Sequence, residues 1–357
     1  MADSGSSLPA RIDFVTLGMF IIDDIYPPPA APSQLPNLNV VGGAGTYSAL
    51  GARLFSPPPL SQTVGWIIDA GLDFPPPVRD LITSWQTGAL VRPRNAPTTR
   101  GWNGYTANDH REFKYLTEKL RITAADLTPD LLDARSIHLI CSASRCVEMV
   151  QQIHHRRDSR SSPQQDSESP PILIWEPVPD LCLPSELPAT LQALEYVGVI
   201  SPNHEELGSL FSFTHPADNV DKAAVEAQAQ RLLSHHAPTN SKYRSGPLAV
   251  VVRVGKEGCY VATPTLQHWL PAYHTSSAKV IDPTGGGNAF LGGLAVGLVR
   301  NAGDVVEAAR YGSIAASFAI EQVGVPVLAR GGVSEVELWN RESVMLRLEE
   351  FGTRTME

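Results

Sequence analysis

The chain has 357 residues, 43% of them hydrophobic and 18% charged, with a formal net charge of -9 at pH 7. It is long enough to bury a sizeable α/β core, and its acidic surface argues against nucleic acid and anionic membranes as partners. The longest apolar run, residues 289–299, is interrupted by Gly292, Gly293 and Gly297 and falls short of the roughly 20 residues a bilayer span needs. Residues 1–10 lack the apolar core of a secretory signal, and the cysteines Cys141, Cys146, Cys182 and Cys259 are sparse and irregular, so a reduced, cytoplasmic protein is expected.

Residues 12–17 predict a first strand ending at Gly18, with Asp23 and Asp24 beyond it. A proline-rich loop then leads to Gly42-Gly43-Ala44-Gly45. This introduces a small-residue helix over 46–54, whose Ala49, Gly51 and Ala52 would allow close packing on a sheet. Residues 63–68 predict a second core strand. Between 88 and 116 the pattern changes to short polar–apolar alternations, which predict half-exposed antiparallel strands projecting from the main body. Strands at 137–141, 172–175, 196–200 and 248–254 then alternate with helical stretches, arguing for a parallel sheet covered on both faces. Residues 154–171 are of low complexity and read as a disordered insertion, and the pairs His154-His155 and His235-His236 read as solvated loop residues. A helical patch is expected near 223–233. Asp304 with Glu307 makes a capping-box-like start for a helix from Val305 to about Gln322, with Gly312, Ala315, Ala316 and Ala319 along it.

The most informative stretch is Asp282-Pro283-Thr284-Gly285-Gly286-Gly287-Asn288, followed at once by apolar residues. Three glycines opening a helix let an anion approach bare N–H groups where the macrodipole favours negative charge. Coming after Val280-Ile281, the turn is expected at the carboxyl end of a strand, where open α/β sheets bind ligands. A P-loop is ruled out, since no Lys follows Gly287 and Gly255-Lys256 is followed by Glu257. A dinucleotide fingerprint at Gly43 and Gly45 fails at its third glycine, which is Ser48. No cluster has metal-ligand spacing, and no G-x-S-x-G elbow is present.

Several separated signals, taken in order, resemble the pfkB-type, ribokinase-like carbohydrate kinases from about residue 13 to residue 325. They are Gly18 to Asp23 as G-x-x-x-x-D, Gly42-Gly43 before the first helix, and Asn203 to Glu206 as N-x-x-E. Gly255 and Gly258 follow a strand, and residues 282–288 stand for D-T-x-G-A-G-D. Residues 42–54 and 175–180, with the Asn-ended glycine motif, are similar to a fungal branch of that family. The resemblance implies a single domain over 1–357, an α/β/α Rossmann-like layer structure with a small β lid from about 19–41 and 88–116, and ATP and Mg²⁺ as cofactors. It also implies a small acceptor with a hydroxyl, and a homodimer paired through the lid. Carried over, Gly285, Gly286 and Gly287 form an anion hole for the transferring phosphoryl group. Asn203 and Glu206 organise Mg²⁺, with Glu206 as the metal residue. Asp23, Gly42, Gly43 and Tyr47 face the acceptor. Arg253, Gly255, Gly258, Asp282 and Thr284 face the nucleotide, and adenine lies between the Gly255 turn and the small-residue face of the helix from Val305.

The departures matter as much. The family's closing Asp, the general base, is here Asn288, an amide that takes no proton at neutral pH, and losing a base commonly costs ~10²–10⁴ in rate. Tyr47 stands for an Asn, Arg253 for a Thr, and Glu176-Pro177 for Asp-Pro. Two readings stay open. One is an ATP-dependent phosphotransferase whose base is lost or relocated, with Asp23 or Asp282 as the nearest substitutes. The other is a catalytically dead, nucleotide- or metabolite-binding regulatory protein. As an N-cap, Asn203 also has a purely structural reading.

Overall fold

The computed structural model describes residues 11–27, 35–105, 111–160, 169–216, 219–235, 242–243, 248–330 and 337–356. The chain lays down β1 (Phe14–Thr16), leaves for β2 (Ile21–Ile25) and β3 (Asn37–Gly42), and returns through α1 (Ala44–Leu54) to β4 (Val64–Ala70). It continues through α2 (Pro76–Ser84), β5 (Gly88–Pro93), β6 (Arg100–Tyr105), β7 (Arg111–Tyr115) and the single turn α3 (Pro129–Leu132). The β8 (Ser136–Cys141), α4 (Ala143–Asp158), β9 (Ile172–Pro177), α5 (Leu187–Ala193) and β10 (Val199–Ile200) units follow, then α6 (His204–Leu210), α7 (Lys222–Ser234) and β11 (Ala249–Arg253). A hairpin of β12 (Cys259–Thr263) and β13 (Leu266–Leu270) precedes α8 (Gly286–Arg300) and α9 (Val305–Ala319). The pair β14 (Leu328–Arg330) and β15 (Glu337–Trp339) and helix α10 (Val344–Met356) complete the chain.

Nine strands form one sheet in the order β13-β12-β11-β10-β9-β8-β1-β4-β5, parallel except for β12 and β13. Alternation along each strand explains why both faces are covered. Phe14, Trp66, Ile174 and Val251 enter the core under α1, α8 and α9, whereas Val15, Ile67, Trp175, Val250 and Val252 enter the core under α4 and α7. A second, four-stranded sheet in the order β3-β2-β6-β7 projects as the lid.

Helix α8 is clamped at backbone distance on two sides. A Cβ on Gly292 would lie 1.9 Å from the Ser48 carbonyl of α1, and one on Gly297 would lie 2.7 Å from Ala308 Cα of α9. Gly51 meets the Ala289 carbonyl of α8 in the same way, while Ala49 and Ala52 share one core with Phe14, Val64 and Trp66 of the sheet. At the end of α1, Arg53 is fully buried. It donates to the carbonyls of Trp85 and Ser56 and pairs with Glu337 at 2.6 Å.

Several expectations need correction. Residues 88–93 belong to the edge of the central sheet, parallel to β4, and not to the lid. Asp23 sits within lid strand β2, not at the end of β1. The strand expected over 196–200 is only Val199–Ile200. Residues 154–158 belong to α4, where His154 is buried edge-on to Tyr243; residues 161–168 and His236 lie outside the described residues. His235 is the C-cap of α7. Val280 and Ile281 form no strand: both are exposed, and the Ile281 and Asp282 amides instead bond to the Ile320 carbonyl after α9. No described helix is long and apolar enough to cross a membrane.

Candidate active site

Between the end of β1, the lid and the start of α8 lies a cavity of about 860 Å³, within the size range of small-molecule sites. Asp23, Gly43, Tyr47, Thr284, Gly285 and Asn288 all line it. Residues far apart in sequence thus meet at one opening, and the N-terminal ends of α1 and α8 both face it. Lid residues Phe113 and Tyr115, 44% and 40% exposed, form another wall.

The lid carboxylate is set by small neighbours. Asp23 is buried, and a Cβ on Gly42 would fall 2.2 Å from its Oδ2, so only glycine admits the carboxylate there. Gly43 caps α1 with φ 88°, a left-handed value that disfavours any other residue. The backbone of α1 runs so close to the end of β1 that a Cβ on Gly45 would lie 2.2 Å from the Gly18 carbonyl.

The bend of three glycines is shaped equally closely. Asp282 Oδ1 accepts from the Thr284 amide at 3.0 Å and from its hydroxyl at 2.6 Å, fixing the approach. Gly285 caps α8 with φ 77° and no capping side chain. Its missing Cβ is replaced by the Tyr47 ring, 2.3 Å from where that atom would be, while Gly286 is crowded by Ile320 and Gly287 by Arg253 Nη1. Among the described residues, no acceptor pairs with the N–H groups of Gly287 and Asn288. The bend therefore offers free donors at a helix N-terminus and also requires glycine for packing.

Behind Asn288 runs a buried polar chain. Asn288 Nδ2 donates to Glu176 Oε2 at 2.7 Å, and Glu176 Oε1 pairs with Arg253 Nη1 at 2.9 Å. His138 Nε2 lies 3.3 Å from Glu176 Oε2, and its Nδ1 lies 3.0 Å from Thr16 Oγ1. Glu176 is held ionised and can only accept, so the histidine N–H lies on Nε2, toward it, and Nδ1 accepts from the Thr16 hydroxyl, whose oxygen accepts from Gly18 N. Burial pushes the Glu176 carboxyl up, but Arg253, His138 and Asn288 together outweigh it and hold it below the usual carboxylate range. Asn288 thus has one of its two side-chain N–H groups tied inward, and its Oδ1 has no partner among the described residues. The carboxylate touching Asn288 is Glu176, not Asp23 or Asp282, which corrects the expected substitutes.

Arg253 continues the chain to Asn203 and Glu206. Its Nη2 donates to the Ser201 carbonyl at 3.0 Å and lies 3.5 Å from Glu206 Oε2. Asn203 and Glu206 form a reciprocal capping box on α6: the Glu206 amide donates to Asn203 Oδ1, while Glu206 Oε2 accepts from the Asn203 amide and Oε1 from Asn203 Nδ2. Burial pushes the Glu206 carboxyl up to about 7; Arg253 opposes this and Glu176 adds to it. These donors do not fit a Mg²⁺ site. Both Glu206 oxygens are occupied, a fixed guanidinium stands between the two carboxylates, and no group of three acidic, histidine or cysteine side chains among the described residues could hold a metal.

Gly255 (φ 51°) and Gly258 (φ 90°) bound the turn after β11, and Gly255 lines a separate cavity of about 340 Å³ beside His204. The face of α9 expected to receive adenine is largely occupied: Gly312 abuts Phe290, and Ala315 and Ala319 are buried in the same core as α8. The large cavity therefore gathers Asp23, Gly43 and Tyr47, expected on the acceptor side, with Thr284, Gly285 and Asn288, and Asn203, Glu206 and Arg253 join it only through Glu176 and Asn288. Sequence reasoning missed Thr16 and His138 altogether, and noted Glu176 only as an oddity before Pro177.

The α/β layers, the lid and the glycine bend beneath it are the architecture of ribokinase-like kinases. Residues 176–327 match the profile described as pfkB family carbohydrate kinase. An uncharacterized protein of Schizosaccharomyces pombe is 31% identical over 95% of this chain and 92% of its own length. Protein MAK32 of Saccharomyces cerevisiae is 34% identical over 87% of this chain and 85% of its own. An Escherichia coli structure described as a putative ribokinase II in complex with ATP and Mg²⁺ superposes with a TM-score of 0.59 at 17% identity, covering 96% of this chain and 99% of that one. The chain belongs to the pfkB family of carbohydrate kinases.

Proposed function

We propose that the protein is a phosphotransferase that moves the terminal phosphoryl group of ATP to a hydroxyl of a small polar acceptor bound under the lid. The observation that carries this reading is the shared cavity, in which the uncapped start of α8 faces Asp23 and Gly43 of the lid side. Asp23 holds the acceptor's hydroxyls against the lid. The free amides of Gly287 and Asn288 receive the oxyanion of the transferring group, a kind of donor typically worth ~2.7–4 kcal/mol in the transition state. Asn288 Oδ1 accepts a hydrogen bond from the attacking hydroxyl and orients it without removing its proton. Phosphoryl transfer depends chiefly on positioning and charge, so a loose transition state proceeds with ADP departing and the hydroxyl proton passing late to an oxygen of the transferred phosphoryl group, at a rate reduced by ~10²–10⁴.

A specific observation favours a second reading, a binding protein without turnover: the amide of Asn288 is locked to Glu176 at 2.7 Å, and that carboxylate is itself paired with Arg253. The two separate by ADP formation. Wild-type protein is incubated with ATP and panels of sugars, nucleosides and amino alcohols, beside the double variant Glu176→Gln, Asn288→Asp. Acceptor-dependent ADP from the wild type supports the phosphotransferase. ADP from the double variant alone supports the binding protein, and the lack of ATP binding by either rejects both.

A further inference from the structure

Arg253 is the last residue of β11, and its side chain lies against the first turn of α8: a Cβ on Gly287 would lie 2.0 Å from Nη1. The guanidinium is only 13% exposed and is held by both acidic residues of the phosphate side, Glu176 at 2.9 Å and Glu206 at 3.5 Å. Its Nε is buried and has no acceptor among the described residues. A guanidinium has five N–H donors in a fixed plane, and among the described residues those of Arg253 pair with Glu176, Ser201 and Glu206. A cation is therefore already built into the place where the family resemblance put a metal. A divalent ion entering there would meet like charge within a few ångströms and find Glu206 bound at both oxygens by Asn203.

We propose that Arg253 takes over the role of the divalent cation: its guanidinium and the α8 amides receive the nucleotide's phosphate oxygens, so the chain binds ATP without Mg²⁺. This rests on the nucleotide-binding half of the proposed function. Glu176 and Glu206 then act as positioning residues, holding the guanidinium as they would otherwise position a metal. The arrangement also accounts for Gly287, because any side chain there would displace the guanidinium.

The test is ATP binding by titration calorimetry in EDTA and in excess Mg²⁺, using the wild type, Arg253→Met and Arg253→Lys, with Mn²⁺ titration followed by electron paramagnetic resonance. Wild-type affinity is expected to be the same within about threefold in both conditions, and the wild type to bind no Mn²⁺ without nucleotide. Arg253→Met should bind ATP about 10- to 100-fold more weakly in EDTA, the worth of a charge-assisted hydrogen bond, recover with Mg²⁺, and acquire one Mn²⁺ site. Arg253→Lys keeps the charge and should stay largely metal-independent. Wild-type binding that appears only with Mg²⁺ overturns the inference while leaving the nucleotide reading intact. Absence of ATP binding in both conditions overturns that reading and the inference with it. Should Arg253→Met not fold, the wild-type and Arg253→Lys arms decide the question alone.

Discussion

Asn288→Asp supplies the carboxylate that the motif led one to expect, yet here it would set a second carboxylate at the 2.7 Å contact now made with Glu176. Like charges so close cannot both ionise, so one pKa rises. The single variant should therefore gain little activity at neutral pH and more as pH rises. Adding Glu176→Gln keeps the charge count beside Arg253 and should give the larger gain; ADP formation across pH 6–9, on the order of the usual titration range, checks this. Glu206 offers a second residue-scale prediction, of opposite kind to Glu176. Its carboxyl is raised to about 7 by burial, so the folded state holds the proton more tightly than the unfolded one. Its stabilising contribution is complete below the ordinary carboxyl pKa of ~4.3 and is lost as pH rises through about 7, at no more than ~1.4 kcal/mol per pH unit. Glu206→Gln should flatten the stability profile in that window, measured by urea unfolding at several pH values. Neither pairing was legible in sequence: Asn288 and Glu176 are 112 residues apart and Thr16 and His138 122, and no local period encodes such contacts.

At the scale of elements, the α1–α8–α9 clamp is the feature most sensitive to one added methyl group. Gly292→Ala would drive a Cβ to 1.9 Å from a backbone carbonyl that cannot turn away, so α1 and α8 must part. A loss of ~1–3 kcal/mol in urea unfolding is expected, the usual cost of overpacking. Gly198→Ala is the control: its nearest neighbour would be 3.7 Å away, and it should change stability by less than about 0.5 kcal/mol. What the sequence disclosed about elements followed its periodicities. Apolar strand runs such as 248–254, the capped start at Asp304 and the glycine-opened helix were legible because their signals are local. Val280 and Ile281 misled because β-branched residues look like a strand wherever they fall, while only the far end of α9 decides their bonding. The small residues of α1 and α9 announced close packing, on a sheet for α1 and on adenine for α9, but not the approach of Gly51 and Gly312 to α8.

For the molecule as a whole, the cavity belongs to two sheets at once, so neither forms the site alone. Phe113 and Tyr115 line it while remaining exposed on the lid, so Phe113→Ala should weaken acceptor binding yet leave thermal unfolding almost unchanged, a split that paired binding and melting measurements would show. The alternation of elements was enough to indicate parallel layers, and the ordered glycine and acidic motifs to indicate the family. The charge pattern inside the site was not legible, because Arg253 and Glu176 acquire their roles only when β9 and β11 lie two strands apart in one sheet. One further consequence follows from Arg53, the guanidinium sealed at the foot of α1. Its counter-ion, Glu337, comes from 284 residues later in the chain. Until the ribosome has made that segment, α1 must bury an uncompensated charge, so the helix that supplies Gly43 and Tyr47 settles only once Glu337 has been made. Nascent chains arrested before Glu337 should accordingly be digested by protease within α1, whereas chains extended through residue 357 resist.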